Sequence, residues 1–317
     1  MSTTVSITTT YAGEFARKYV SQALLSAPTI ANGLVTVKPN VKFKEVLKRV
    51  ATGSLLTNAT CDFTPGGSVT LTERILEMKE LQLNQVLCKQ TFQSDWEAIE
   101  MGISAYDSLP PTFADFIIAE YVAKVAAEME INIWRGVEGA GAFDGIMTKL
   151  AADASLPVAN EIAGTTVTAA NVITELGKVY DAIPNALFGR EDLYIGVSTN
   201  IYKAYTIALG GFGANGLGAN GFDNKGVNQV LQDLYFAGVK VVLLPALANN
   251  TAICTYVENL YFGTGLISDH NTVQLIDTGL TLGDQNVRIV MRMTGGVQYA
   301  IVEDIVTYGI TNSANNA

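Results

Sequence analysis

Apolar residues recur along this chain with two distinct periods. The longest uninterrupted pattern runs from Phe113 to Arg135, with no proline or glycine inside it. Ile117, Tyr121, Val125 and Met129 fall on one helical stripe, and Glu120, Lys124 and Glu128 on another. Pro110 and Pro111 end the preceding segment, Thr112 and Asp115 have capping-box spacing, and Gly136 supplies a stop. The predicted helix is about 35 Å long at 1.5 Å per residue. Phe43, Val46, Leu47 and Val50 recur at i, i+3, i+4 and i+7, which predicts a short basic amphipathic helix ending near Gly53. Between Leu55 and Phe92, a Pro65-Gly66-Gly67 turn and runs such as Ser68-Val69-Thr70-Leu71 suggest a protruding hairpin, although Arg74 to Leu83 also accommodates a helix.

Beyond Leu150 the two periods alternate, as in an α/β domain. Thr168 is placed to cap a helix carrying Val172, Ile173, Leu176, Val179, Tyr180 and Ile183. A strand over Leu193–Val197, a helix over Asn200–Leu209 and a glycine-rich loop follow, then a helix with Val227, Val230, Leu231 and Leu234. Val239–Leu244 and Ala252–Val257 read as buried strands. Val287, Ile289, Met291 and Met293 alternate with Arg288, Val290 and Arg292, Gly295-Gly296 is placed to turn the chain, and Val297–Val306 returns as a hairpin partner. A further helix is expected over Gly13–Ser26, within an extended arm covering residues 1–40.

Composition changes what these elements imply. Of 317 residues, 49% are apolar and only 16% charged, against about 25% charged in ordinary soluble domains. Mean hydropathy is +0.25, yet no segment reaches the roughly 18 apolar residues of a spanning helix. The N-terminus MSTTVSITTT lacks a signal-peptide pattern. The apolar excess therefore has to be hidden in a core and in contacts between subunits. Residues 1–50 carry a net charge of +5, through Arg17, Lys18, Lys38, Lys42, Lys44, Lys48 and Arg49, while the remainder carries −15. An acidic body disfavours sequence-reading contact with nucleic acid. A basic arm on such a body is suited to embracing an acidic neighbour, the alternative being a solvated face.

Candidate chemistry is sparse. Two overlapping G-x-G-x-x-G runs (Gly211, Gly213, Gly216, then Gly216, Gly218, Gly221) follow a helix rather than a strand, so a mobile loop tip fits better than a dinucleotide site. Ser268-Asp269-His270 holds the only histidine, but adjacent residues on an extended chain cannot converge as a triad. Glu303-Asp304, placed on the last strand, diverge for the same reason. Cys61, Cys88 and Cys254 lack disulfide or zinc spacing and read as buried thiols. The sequons at Asn58 and Asn249 carry no meaning without a secretion signal, and Glu258-Asn259-Leu260-Tyr261-Phe262-Gly263 reads as native strand rather than a protease tag. No catalytic, cofactor or metal residue is expected, and the chain does not read as an enzyme.

The order of elements, together with Glu130-Ile131-Asn132-Ile133-Trp134-Arg135-Gly136, Phe143-Asp144-Gly145-Ile146, the Leu87-Cys88 to Phe92 to Trp96 run and Val287 to Tyr308, resembles the major capsid protein of tailed double-stranded DNA phages. It is similar to those of phages infecting Bacteroides-like bacteria. The resemblance implies an α+β Hong Kong 97-type capsid fold. Its parts would be an N-arm (1–54), an E-loop (55–95), a peripheral domain (96–164) with a spine helix at 113–135, an axial α/β domain (165–265) and closing peripheral strands (266–317). It implies a shell protein of the virion, assembled in the host bacterial cytoplasm into hexamers and pentamers around double-stranded DNA held without sequence-specific contacts. Portal, a separate scaffold, and decoration or cement proteins are the implied partners, with no membrane association. Inter-subunit contacts are expected at Lys38, Lys42, Lys44, Lys48, Arg49, Gly211, Gly213 and Gly216. The alternatives are an encapsulin-like nanocompartment shell, a tail protein, and a nucleotide-dependent oxidoreductase built on the glycine runs.

Overall fold

The computed structural model describes residues 28–56, 58–59, 61, 66–88, 111–139, 141–210, 234–265, 274–278 and 286–310. A helical turn, α1 (Pro28–Ala31), leads to β1 (Thr36–Lys38), β2 (Lys44–Thr52), β3 (Val69–Glu77) and β4 (Lys79–Cys88). Helices α2 (Pro111–Arg135) and α3 (Ile146–Ala152) come next, then β5 (Glu161–Ile162), α4 (Val172–Asp181), β6 (Leu193–Val197) and α5 (Thr199–Gly210). The remaining strands are β7 (Leu234–Phe236), β8 (Val239–Leu243), β9 (Ala252–Tyr256), β10 (Leu260–Gly263), β11 (Gln274–Asp277), β12 (Asn286–Tyr299) and β13 (Val306–Tyr308).

Three sheets result. One has five strands, ordered β1-β10-β12-β11 with β4 on the other side of β12. The second has six, ordered β5-β13-β9-β6-β8-β7, and the third is a β2-β3 ribbon. The five-stranded sheet is roofed by α2, whose Ile118, Val125, Met129 and Ile133 share a core with Val287, Ile289, Met291 and Met293 of β12. The alternation over Val287–Met293 is as expected, since those four side chains are buried while Arg288 and Arg292 are exposed. In the second sheet, β6 and β9 are buried along their whole length, as two-sided packing requires. Val172, Leu176 and Val179 of α4 and Ile201 and Tyr205 of α5 cover it. The chain passes between these two sheets three times, from β4 to β5, from β9 to β10 and from β12 to β13, and the last two passages lie side by side. Asn259 stitches the crossing. Its amide donates to the Ile301 carbonyl at 2.8 Å and its carbonyl oxygen accepts from the Ile301 amide at 2.7 Å. Asn259, Leu260, Phe262 and Gly263 are thus built into the core, with Glu258 left on the surface.

Several local expectations are corrected. Residues 44–52 form a strand and not an amphipathic helix, because pairing with β3 imposes a period of two on them. Leu47 is buried, whereas Val46 and Val50 face outward. Arg74–Leu83 is likewise strand. Gly295 and Gly296 do not turn the chain, for β12 runs straight through them and changes partner. These glycines permit close approach. A Cβ at Gly296 would be driven into the Glu77 carbonyl oxygen, and one at Gly295 would sit 3.0 Å from Cε1 of Phe143. Val297–Val306 is therefore no hairpin partner, and Glu303-Asp304 lies in a turn before β13 rather than on a strand. Asn171, not Thr168, is the N-cap of α4. Thr168 starts the preceding turn, its amide donating to Asn171 Oδ1 at 2.7 Å. Leu234 opens β7 instead of closing a helix. The long helix begins two residues earlier than expected, at Pro111, as its first turn tolerates. Val125 and Met129 are on its buried face, and Lys124 and Glu128 pair on the exposed one. The helices expected over 13–26 and 227–233, the Ile117, Glu120, Thr112 and Asp115 side chains, the glycine runs and Ser268-Asp269-His270 lie outside the described residues.

Candidate assembly surface

The β2-β3 ribbon is held to the body at one end and by one face only. Directly opposed residues share a face, so Glu45, Leu76, Leu47, Arg74, Arg49 and Thr72 form the inner side. Leu76 packs with Val41 and Met78 under Tyr261. Arg74 lies over the Tyr299 ring, 4.6 Å from its centroid, and its Nη1 is 2.7 Å from Asp153 Oδ2. The Tyr299 hydroxyl donates to the same carboxylate at 2.7 Å. Burial pushes Asp153 up, but hydrogen bonds from Tyr299, the Ser155 amide and Arg74 outweigh it and hold the carboxyl below its usual range. Arg49 reaches Glu303 at 2.6 Å, and the Gln298 side chain donates to the Ile75 carbonyl at 2.8 Å.

The opposite face has none of this. Lys44/Glu77, Val46/Ile75, Lys48/Glu73, Val50/Leu71 and Thr52/Val69 succeed one another along it. The apolar members are 41% (Val46), 46% (Ile75), 62% (Val50) and 74% (Leu71) exposed. A two-stranded ribbon is marginal alone in water, and an apolar stripe left bare on it marks an interaction site.

The basic residues singled out from sequence divide accordingly. Lys38 pairs with Glu45, Lys44 with Glu77 at 3.3 Å, and Arg49 with Glu303. Lys42 and Lys48 have no carboxylate partner among the described residues. Gly211, Gly213 and Gly216 lie outside those residues. Sequence reasoning missed the acidic Glu73 and Glu77, whose relevance depends on a strand register that no local pattern encodes.

The segment Glu130–Gly145 forms the second junction. Buried Trp134 donates from Nε1 to Thr29 Oγ1 at 2.6 Å, and the Thr29 hydroxyl donates to Glu130. The Thr29 amide also donates to Glu130, at 3.3 Å. Desolvation raises the Glu130 pKa, against the lowering influence of the Thr29 bonds. Gly145 then folds against the end of α2, its amide donating to the Gly136 carbonyl at 2.9 Å.

A cleft of about 540 Å³ between α1 and the six-stranded sheet is lined by Asn32, Asp192, Tyr194, Tyr202 and Lys240 among others, with Asp192 engaged by Arg190 at 2.9 Å. Burial pushes the Cys254 thiol up to about 12, far from a reactive thiolate. Among the described residues, no group of three or more His, Cys, Asp or Glu could hold a metal ion, and no helix is long and apolar enough to cross a membrane.

No family model matches the sequence, and no curated protein matches it. Solved structures do. A chain from the capsid of a native GTA particle is similar over 97% of this chain and 94% of its own, with a TM-score of 0.55 at 13% identity. A chain from the capsid of the cyanophage P-SCSP1u matches over 88% and 86%, with a TM-score of 0.53 at 13% identity. One from the satellite phage P4 procapsid, a structure that includes the size determination protein, matches over 92% and 97%, with a TM-score of 0.53 at 12% identity. The mixed helix and sheet architecture is thus one shared with phage capsid structures.

Proposed function

We propose that this chain is a major capsid protein, assembling with copies of itself into the icosahedral head of a phage. The observation that carries the reading is a capsid fold shared over nearly the full length of both chains. The bare ribbon face and the low charge content support it, since both require burial by neighbours.

In this reading α2 is the spine helix of a peripheral domain, the E-loop (55–95) takes in β3 and β4, and β2 belongs to the N-arm (1–54). The six-stranded sheet with α4 and α5 is the axial domain. Of the basic residues, Lys42, Lys44 and Lys48 are placed for contacts between subunits, while Lys38 and Arg49 are paired within the chain with Glu45 and Glu303. The role is mechanical and not enzymatic. Many weak contacts close hexamers and pentamers into a shell around DNA, and an acidic body lets that DNA move without sticking. Portal, scaffold and cement proteins complete the assembly. Electron microscopy of the purified protein tests this directly: closed shells with six-fold capsomers are expected. Monomers or small open oligomers at all protein and salt concentrations would overturn it.

A further inference from the structure

The outer face of the ribbon carries its charges in columns. On it, β2 contributes only lysines, Lys44 and Lys48, and β3 only glutamates, Glu73 and Glu77. Each lysine lies directly across from a glutamate, and apolar pairs fill the alternate steps. The inner face is committed to the body through Leu76, Arg74 and Arg49, so the outer face is the one left to meet a partner.

Such a face is complementary to itself. A two-fold axis running parallel to the strands, between two facing ribbons, lays β2 of one copy over β3 of the other in unchanged register. Lys48 then meets Glu73 of the second copy, Lys44 meets Glu77, and Val50 meets Leu71. Two-fold axes perpendicular to the strands stack lysine column on lysine column and are disfavoured. The aligned arrangement also suits the roughly 30° crossing of two twisted sheets. We propose that the ribbon docks face to face on the ribbon of a second copy of this chain, about a two-fold axis along the strands. The inference deepens the shell reading but stands on the ribbon's own charges.

Size sets the strength of this contact. Nine residues at about 3.4 Å each and a width near 10 Å bury roughly 300 Å² per copy. That is about 600 Å² in total, well below the 1,200 Å² or more of a stable isolated dimer. The pairing is therefore weak by itself and gains weight only when repeated or combined with other contacts.

Complementation between single charge reversals tests it. In Lys48→Glu, acid faces acid at the 48/73 step; in Glu73→Lys, base faces base there. Sedimentation velocity should show each variant alone associating only at about ten-fold higher concentration than the wild type, the scale of a modest like-charge penalty. An equimolar mixture restores opposite charges at every step and should return to within about three-fold of the wild type. Lys44→Glu with Glu77→Lys, one repeat away, forms an independent second pair, and circular dichroism checks that each variant folds. If the single variants associate normally, or if neither pair complements, the ribbon does not pair with itself. A ribbon docking on an unlike surface would give that second result, because the partner's charges would be unchanged. Complementation without closed shells in the microscope would remove the capsid reading alone.

Discussion

Alanine at Gly145 would place a methyl carbon 2.6 Å from the backbone carbon of Trp134, 2.7 Å from the Arg135 nitrogen and 2.7 Å from the Asn132 oxygen. All three are main-chain atoms in the last turn of α2, so no side-chain rotation relieves the overlap. The backbone dihedrals of Gly145, φ −74° and ψ 171°, suit any residue, which leaves sterics as the only objection. Reaching ordinary contact near 3.4 Å means moving the start of α3 away from α2 by about 0.8 Å. That would loosen the buried Ile146, Met147 and Leu150 on one side and Trp134 on the other. Overpacking of this kind costs about 2–3 kcal/mol. In a chain of this size, thermal unfolding should fall by about 4–6 °C. Gly177, in the middle of α4, is the matched control. A Cβ there meets nothing within 4 Å, so Gly177→Ala should raise stability by about 0.5–1 kcal/mol through helix propensity. Calorimetry or a circular-dichroism melt reads both. A Gly145→Ala protein melting within 1 °C of the wild type would refute the packing described at the end of α2.

The half-buried Asp153 and the buried Glu130 should respond to acid in opposite senses. The folded pKa of Asp153 is lowered from 3.8, so its stabilising contribution is present above that value and disappears as pH falls through the folded one. Arg74→Gln should accordingly cost about 1–2 kcal/mol at pH 7, with the gap to wild type closing below about pH 4 in urea titrations. The folded pKa of Glu130 is raised from 4.5, so the wild type gains stability relative to Glu130→Gln as pH falls from 7 through the raised value, levelling off below 4.5. A pH-independent difference between those two proteins would show that Glu130 is not desolvated as described.

What could be read in advance follows a physical rule. Elements whose apolar positions are the ones the chain itself buries were legible: β6, β9, α5 and the Val287–Met293 alternation are all near their expected places. Patterns whose apolar positions point away from the chain's own core were not. Phe43, Val46, Leu47 and Val50 have helical spacing, but Val46 and Val50 are apolar toward the outside, where nothing in the chain itself explains them. Gly295-Gly296 imitates a turn because glycine serves tight turns and close crossings alike, and only the position of Glu77 decides between them. The basic column of the ribbon was visible in composition. Its acidic counterpart appeared only once β2 and β3 were in register.

The pairing of β4 with β12 joins residues 79–88 to residues 286–295, and that separation sets a schedule. A ribosome adding about 5–20 residues per second takes roughly 10–40 s to make the partner after β4 has emerged. β1 waits slightly longer for β10, to which Thr36–Lys38 are joined. Through that interval Leu81 has no β12 to pack with, and high contact order makes the closing step itself slow. β1 and β4 therefore spend that time as unpaired strands, and the yield of native protein will be governed less by final stability than by what shields β4 until residue 286 arrives.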